Sequence, residues 1–212
     1  MMENNLDPVN SGSIAGQEFA VLYPVLLVVP QVRRDLKGRE KVKYLSRHAR
    51  RALRLSAQKT GAVLDRFPKD TDGVPLPVNG VYWSLSHKSD FVAAVVAGSP
   101  VGIDIEVIRS PSKGLFDRIA RQREWELIDR VSTEAFFRFW TAKEAVLKAT
   151  GVGFKGFSNC RIAGVADRTH LTVRFNNRYW RVRHCFFDDH LASIAVDGCD
   201  IQWSIDRTTH QG

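Results

Sequence analysis

The stretch V-G-I-D-I-E-V at residues 101–107 constrains this chain more than any other. Val101, Ile103, Ile105 and Val107 alternate with Gly102, Asp104 and Glu106, the period-two pattern of a strand with unlike faces. Asp104 and Glu106 therefore point to one side, ~7 Å apart at Cα. Two carboxylates on an otherwise apolar strand repel each other and lose hydration. They need a cation or protons between them.

Residues 136–151, F-F-R-F-W-T-A-K-E-A-V-L-K-A-T-G, supply a helix to set beside that strand. Trp140, Glu144 and Lys148 recur every four residues and share one face, with Phe136, Phe139 and Leu147 next to it. Gly151 suits a left-handed C-cap. Glu144 is a third carboxylate, and Lys148 an ammonium one turn later. Acids and a lysine so arranged suit a divalent ion that also holds phosphate oxygens.

A third motif, S-L-S-H at residues 84–87, precedes these two. In this order, S-L-S-H, V-G-I-D-I-E and F-x-x-W-T-A-K-E-A-V-L-K-A-T-G-V-G-F resemble the 4′-phosphopantetheinyl transferases over residues 84–154. The resemblance implies an α+β fold of two similar halves related by a pseudo-twofold axis, with the active site between them. It implies that coenzyme A donates its phosphopantetheine arm to a serine of an apo acyl or peptidyl carrier protein. The other product would be adenosine 3′,5′-bisphosphate.

Asp104, Glu106 and Glu144 match the family's Mg²⁺ ligands, and Lys148 matches the lysine on the diphosphate. Glu144 is the first choice for general base and Glu124 the second. His87, with Ser86 beside it, matches the contact to the 3′-phosphate. Lys143 is expected to face solvent, with phosphate contact as its other use. The chain departs from the family at Gly73-Val74-Pro75, where a lysine often stands in place of Val74. Lys69, Lys88, Arg47, Arg50 or Arg51 would replace that cation, and Arg47 is the choice made here. The aromatic pair that usually precedes Glu124 is also missing.

Composition bounds the rest. With 212 residues and 44% hydrophobic content the chain can bury a real core. No run reaches the ~18 apolar residues of a membrane span, and the segment before residue 19 lacks a positive n-region, so neither membrane nor signal peptide is expected. Three cysteines without C-x-x-C spacing point to reduced thiols in a cytoplasmic protein. The net charge of +8 calls for an anionic partner. Much of that charge lies between residues 33 and 59, in a basic helix that would steer an acidic carrier protein. Nucleic acid is the competing partner, although no zinc-finger, helix-turn-helix or RNP-like pattern supports it. A binding module for carrier protein or coenzyme A, without catalysis, is the remaining alternative.

Along the chain, residues 1–16 read as a disordered leader, 17–109 as an N-terminal half and 110–212 as a C-terminal half. Residues 18–29 read as strands hinged at Pro24, and 38–60 as a helix with Val42, Leu45, Ala49, Ala52 and Leu53 inward. Residues 81–86, 91–97 and 101–107 read as an antiparallel meander, and 115–130 as helical. Five strands close the chain, with a turn at Asn176-Asn177. A faint echo between residues 90–98 and 190–198 suggests duplication. One chain holding both halves would act as a monomer.

Overall fold

The computed structural model describes residues 18–208; the leader expected over residues 1–16 lies outside them. The architecture is α+β, four layers deep. Strand β1 (Val21–Leu22) and strand β2 (Val25–Val28) flank Pro24. A short helix α1 (Gln31–Arg34) leads into α2 (Gly38–Thr60). The bounds of α2 follow from its sequence: Leu45, Ala49, Ala52 and Leu53 form the buried stripe, and Gly61 ends the helix at φ 75°. Val42 breaks the expected pattern. It is 60% exposed, because the first buried position of α2 is Leu45.

Strand β3 (Tyr82–His87) pairs antiparallel with β4 (Phe91–Ala97), and β4 with β2. The expected meander stops there. Strand β5 (Gly102–Val107) pairs instead with β9 (His190–Ala195), at the far end of the chain. That pairing buries Ile103 and Ile105 between the two sheets, with Leu26, Ala93, Val95 and Ile194, and turns Asp104 to the opposite face.

Helix α3 (Lys113–Ile119) and the four-residue α4 (Gln122–Trp125) replace the continuous helical piece expected over 115–130. The extended backbone of Ala120 and Arg121 divides them. Helix α5 (Thr133–Thr150) begins at Ser132, whose hydroxyl accepts from Ala135 N, and ends at Gly151 with φ 69°. A 3₁₀ turn over Phe154–Asn159 leads to β6 (Arg161–Val165), β7 (His170–Phe175) and β8 (Arg178–Phe187). Asn176 and Asn177, both at positive φ, make the tight β7–β8 turn.

The second sheet runs β5-β9-β8-β7-β6, with α5 packed on it through Phe136, Phe139 and Leu147. The first sheet has α2 on its outer face and the β5–β9 end of the second sheet on its inner face. The C-terminal segment returns to the start. Strand β10 (Asp200–Ile201) runs parallel to β1, and β11 (Ser204–Asp206) parallel to β2. Strands thus cross the sequence boundary near residue 110 in both directions.

Candidate functional site

The site forms where the β3 edge of one sheet meets the β5 edge of the other. Two serines of β3 stitch those edges: Ser84 Oγ accepts from Ile103 N at 3.1 Å, and Ser86 Oγ donates to Asp104 Oδ1 at 2.9 Å. Helix α5 then lies directly over β5. At Gly102 there is no room for a side chain, since an added Cβ would meet the Ala145 carbonyl oxygen at 1.8 Å. This contact brings the Trp140–Glu144–Lys148 face onto Asp104 and Glu106.

Asp104 is 5% exposed. Its Oδ1 also accepts from Lys148 Nζ at 2.7 Å, and Lys148 donates at 3.0 Å to Ile103 O as well. Its Oδ2 is buried without a hydrogen-bond partner. Glu106 pairs with Lys88 Nζ at 2.7 Å and accepts from Trp140 Nε1 at 3.2 Å. Burial raises the Glu106 pKa, and the Asp104 charge adds to the rise. Glu144 is pushed up to about 7, first by burial and then by Asp104.

Among the described residues, no three His, Cys, Asp or Glu side chains converge closely enough to form a ready ligand set. Lys148 and Lys88 neutralise Asp104 and Glu106 instead. Two features nonetheless suit a hard cation. An orphaned carboxylate oxygen loses desolvation energy until something positive meets it. Glu144 likewise carries a charge that its surroundings disfavour at neutral pH.

Beside the acids is a cleft of ≈ 260 Å³ between the loop over residues 69–75, β3 and the C-terminal end of α5. Lys69, Val74, Ser84, Leu85, Leu147 and Lys148 are among its lining residues. Val74 fills the position where the sequence resemblance leads one to look for a lysine. His87 is half-buried, and its pKa is lowered by burial and by the charges of Lys148, Lys88 and Lys69. Those three lysines, and not Arg47, supply the positive field at His87. Arg47 lies on the exposed side of α2 with its guanidinium 5.8 Å from the Tyr44 ring centre.

Two expectations from the sequence are corrected here. Lys143, expected to face solvent, is 1% exposed. Its Nζ stands 2.6 Å from Glu124 Oε1 and donates to Ile119 O at 2.6 Å. Glu124, proposed as a base or a solvated residue, is 4% exposed and also accepts from Ile162 N and Arg121 N. The pair ties α3, α4, α5 and β6 together. Burial lowers the Lys143 pKa, partly offset by Glu124, and raises the neighbouring Cys160 thiol to about 12. One signal in the sequence was available: Lys143 stands among Phe136, Phe139, Ala142, Val146 and Leu147, and a lysine in such company needs a buried partner.

Residues 100–196 match the sequence profile of the 4′-phosphopantetheinyl transferase superfamily. The 4′-phosphopantetheinyl transferase HetI of Nostoc sp. is 38% identical over 146 residues, which are 63% of this chain and 61% of that protein. The transferase psf-1 of Bacillus pumilus is 34% identical over 116 residues, 51% of this chain and 49% of that one. The mouse L-aminoadipate-semialdehyde dehydrogenase-phosphopantetheinyl transferase is 34% identical over 101 residues, 41% and 32% respectively. The matched region thus spans about a third to three fifths of these relatives' lengths. It contains Asp104, Glu106, Glu144 and Lys148, and over this part the chain is similar to the 4′-phosphopantetheinyl transferase superfamily.

Proposed function

We propose that this chain moves the 4′-phosphopantetheine arm of coenzyme A onto a serine of an apo acyl or peptidyl carrier protein. Adenosine 3′,5′-bisphosphate would leave. The observation that carries this reading is the juxtaposition of Asp104, with its orphaned Oδ2, and Glu144, held near pKa 7. A carboxylate of that pKa is suited to take a proton at neutral pH.

In the reaction, the serine oxygen bonds to the phosphorus bearing the pantetheine, and the bond from that phosphorus to the bisphosphate oxygen breaks. Glu144 accepts the serine proton, directly or through a water. Lys148, already 2.7 Å from Asp104, offsets charge on the departing bisphosphate. His87, with the charge of Lys69 nearby, would hold the 3′-phosphate. Mg²⁺ bound by Asp104, Glu106 and Glu144 would neutralise the diphosphate. Lys148 and Lys88 would then shift from the carboxylates toward phosphate oxygens.

The exposed Arg47, Arg50 and Arg51 of α2 give an acidic carrier a field to follow. A single chain would suffice for activity. The relation of its halves as a pseudo-twofold pair is supported by β4 and β9, the echoing segments, each being an interior strand of its sheet. The free thiols of Cys160, Cys185 and Cys199 fit a reducing, cytoplasmic setting.

The deciding experiment is mass spectrometry of apo carrier proteins incubated with the chain, coenzyme A and Mg²⁺. A gain of one phosphopantetheine arm, lost in Glu144→Gln, is expected. No gain on any apo carrier would leave only a binding role.

A further inference from the structure

The outer face of the second sheet, opposite α5, carries an unusual set of side chains. Strand alternation turns Leu171, Val173, Phe175, Trp180 and Val182 inward toward α5. The same alternation turns Arg174, Tyr179, Arg181 and Arg183 outward, with Arg161 on β6. The register places Arg161 opposite Arg174, Arg174 opposite Tyr179, Thr172 opposite Arg181 and His170 opposite Arg183. Toward β9 this face disappears under the first sheet, where Ile194 is buried. Over β6, β7 and β8 it is open.

Like charges directly across strands are destabilising, and a surface kept only for solubility mixes its signs. Here the signs are not mixed. Arg183 lies 3.9 Å from Asp200 at the margin, and Arg161 donates to the Cys160 carbonyl. Among the described residues, neither Arg174 nor Arg181 has a carboxylate within ion-pair distance. Between them stands Tyr179, 60% exposed.

We infer that this face binds single-stranded nucleic acid, with the arginines on phosphates and Tyr179 under an unpaired base. Two observations favour that occupant over an acidic protein. The cores of protein interfaces are depleted of charge and rich in apolar area, whereas this face holds guanidinium groups and no exposed aliphatic side chain larger than Ala163. A basic face with an aromatic platform suits a phosphate backbone with splayed bases. The basic helix α2 offers no comparable platform, because Arg33 and Arg47 already lie over its Tyr44 ring. This inference does not depend on the transferase reading. The face lies on the side of the sheet away from Asp104, so occupancy leaves the acids accessible.

The test is fluorescence anisotropy of labelled oligo-dT and oligo-rU titrated with the full chain at several salt concentrations. Salt-dependent binding is expected. Arg174→Gln with Arg181→Gln should weaken it about ten-fold or more and lower the salt slope by ~1.4, at ~0.7 per lost single-strand contact. Tyr179→Ala should cost at least about five-fold on single strands and little on a duplex of equal charge. Carrier modification by the same variants should be unchanged. Binding that survives the arginine variants, or falls equally when Arg50 and Arg51 on α2 are changed to Gln, would overturn the proposal. So would stronger binding of polyglutamate than of oligonucleotide at matched charge, which would assign the face to an acidic protein.

Discussion

The α-carbon of Gly102 is held so near the Ala145 carbonyl oxygen that a β-carbon there would stand 1.8 Å from it. Neither partner can yield easily, because the second contact, at 2.6 Å, is the backbone nitrogen of Ala149. Gly102→Ala should therefore push α5 off β5 and cost ~3 kcal/mol or more. Thermal melts should show it, and activity should fall further than stability, since Glu144 and Lys148 move with the helix. A variant of unchanged melting temperature would mean that the helix does not approach so closely.

Glu144 and Asp104 separate by their jobs. Asp104→Asn weakens a charged ligand position but leaves the proton acceptor, and raising Mg²⁺ should restore much of its rate. Glu144→Gln removes both, so saturating Mg²⁺ should leave it ~10²–10⁴-fold slow. Equal rescue of the two would reduce Glu144 to a ligand.

The buried Glu124–Lys143 pair makes a prediction about folding. Lys143→Met strands a carboxylate in the core and should cost roughly 3–5 kcal/mol in denaturant unfolding. Combining it with Glu124→Gln should recover a good part of that loss. If Glu124 were instead the base, Glu124→Gln would fold normally and fail to turn over.

His184 is 4% exposed, accepts or donates through Nδ1 to Ser193 Oγ at 2.7 Å, and has its pKa lowered by burial to about 3. The folded protein keeps it neutral while the unfolded chain protonates it near pH 6.5. Its contribution is thus intact above that value and is lost as pH falls toward 3. Between pH 8 and pH 5 the loss from this group is about 2 kcal/mol. Comparing wild type with His184→Gln in urea at both values should show a smaller drop in the variant.

Local chemistry wrote α2 and α5 plainly into the sequence through an apolar stripe and a closing glycine, Gly61 or Gly151, whereas the Ser132 cap of α5 came only with the structure. Period-four spacing likewise put Trp140, Glu144 and Lys148 on one face, and period-two spacing put Asp104 beside Glu106. Pairing was less legible. Nothing within residues 101–107 names β9 as a partner, because that choice rests on Ile103 meeting Ile194, ninety residues away in sequence. The burial of Lys143 was hidden for the same reason, its partner lying on a four-residue helix with no periodic signal. Arg47 was favoured on charge alone, and charge does not reveal which way α2 turns its arginines.

The parallel pairing of β10 with β1 and of β11 with β2 has a consequence for biosynthesis. A ribosome releases β1 and β2 long before residues 200–206 exist. Until then one side of the first sheet presents open backbone groups to any passing strand. Closure joins segments about 180 residues apart, so the loop entropy is met late and assembly is slow relative to its helices. The nascent chain therefore passes through a long, sticky interval, and the conditions that govern its yield act during translation, before any stability of the finished protein comes into play.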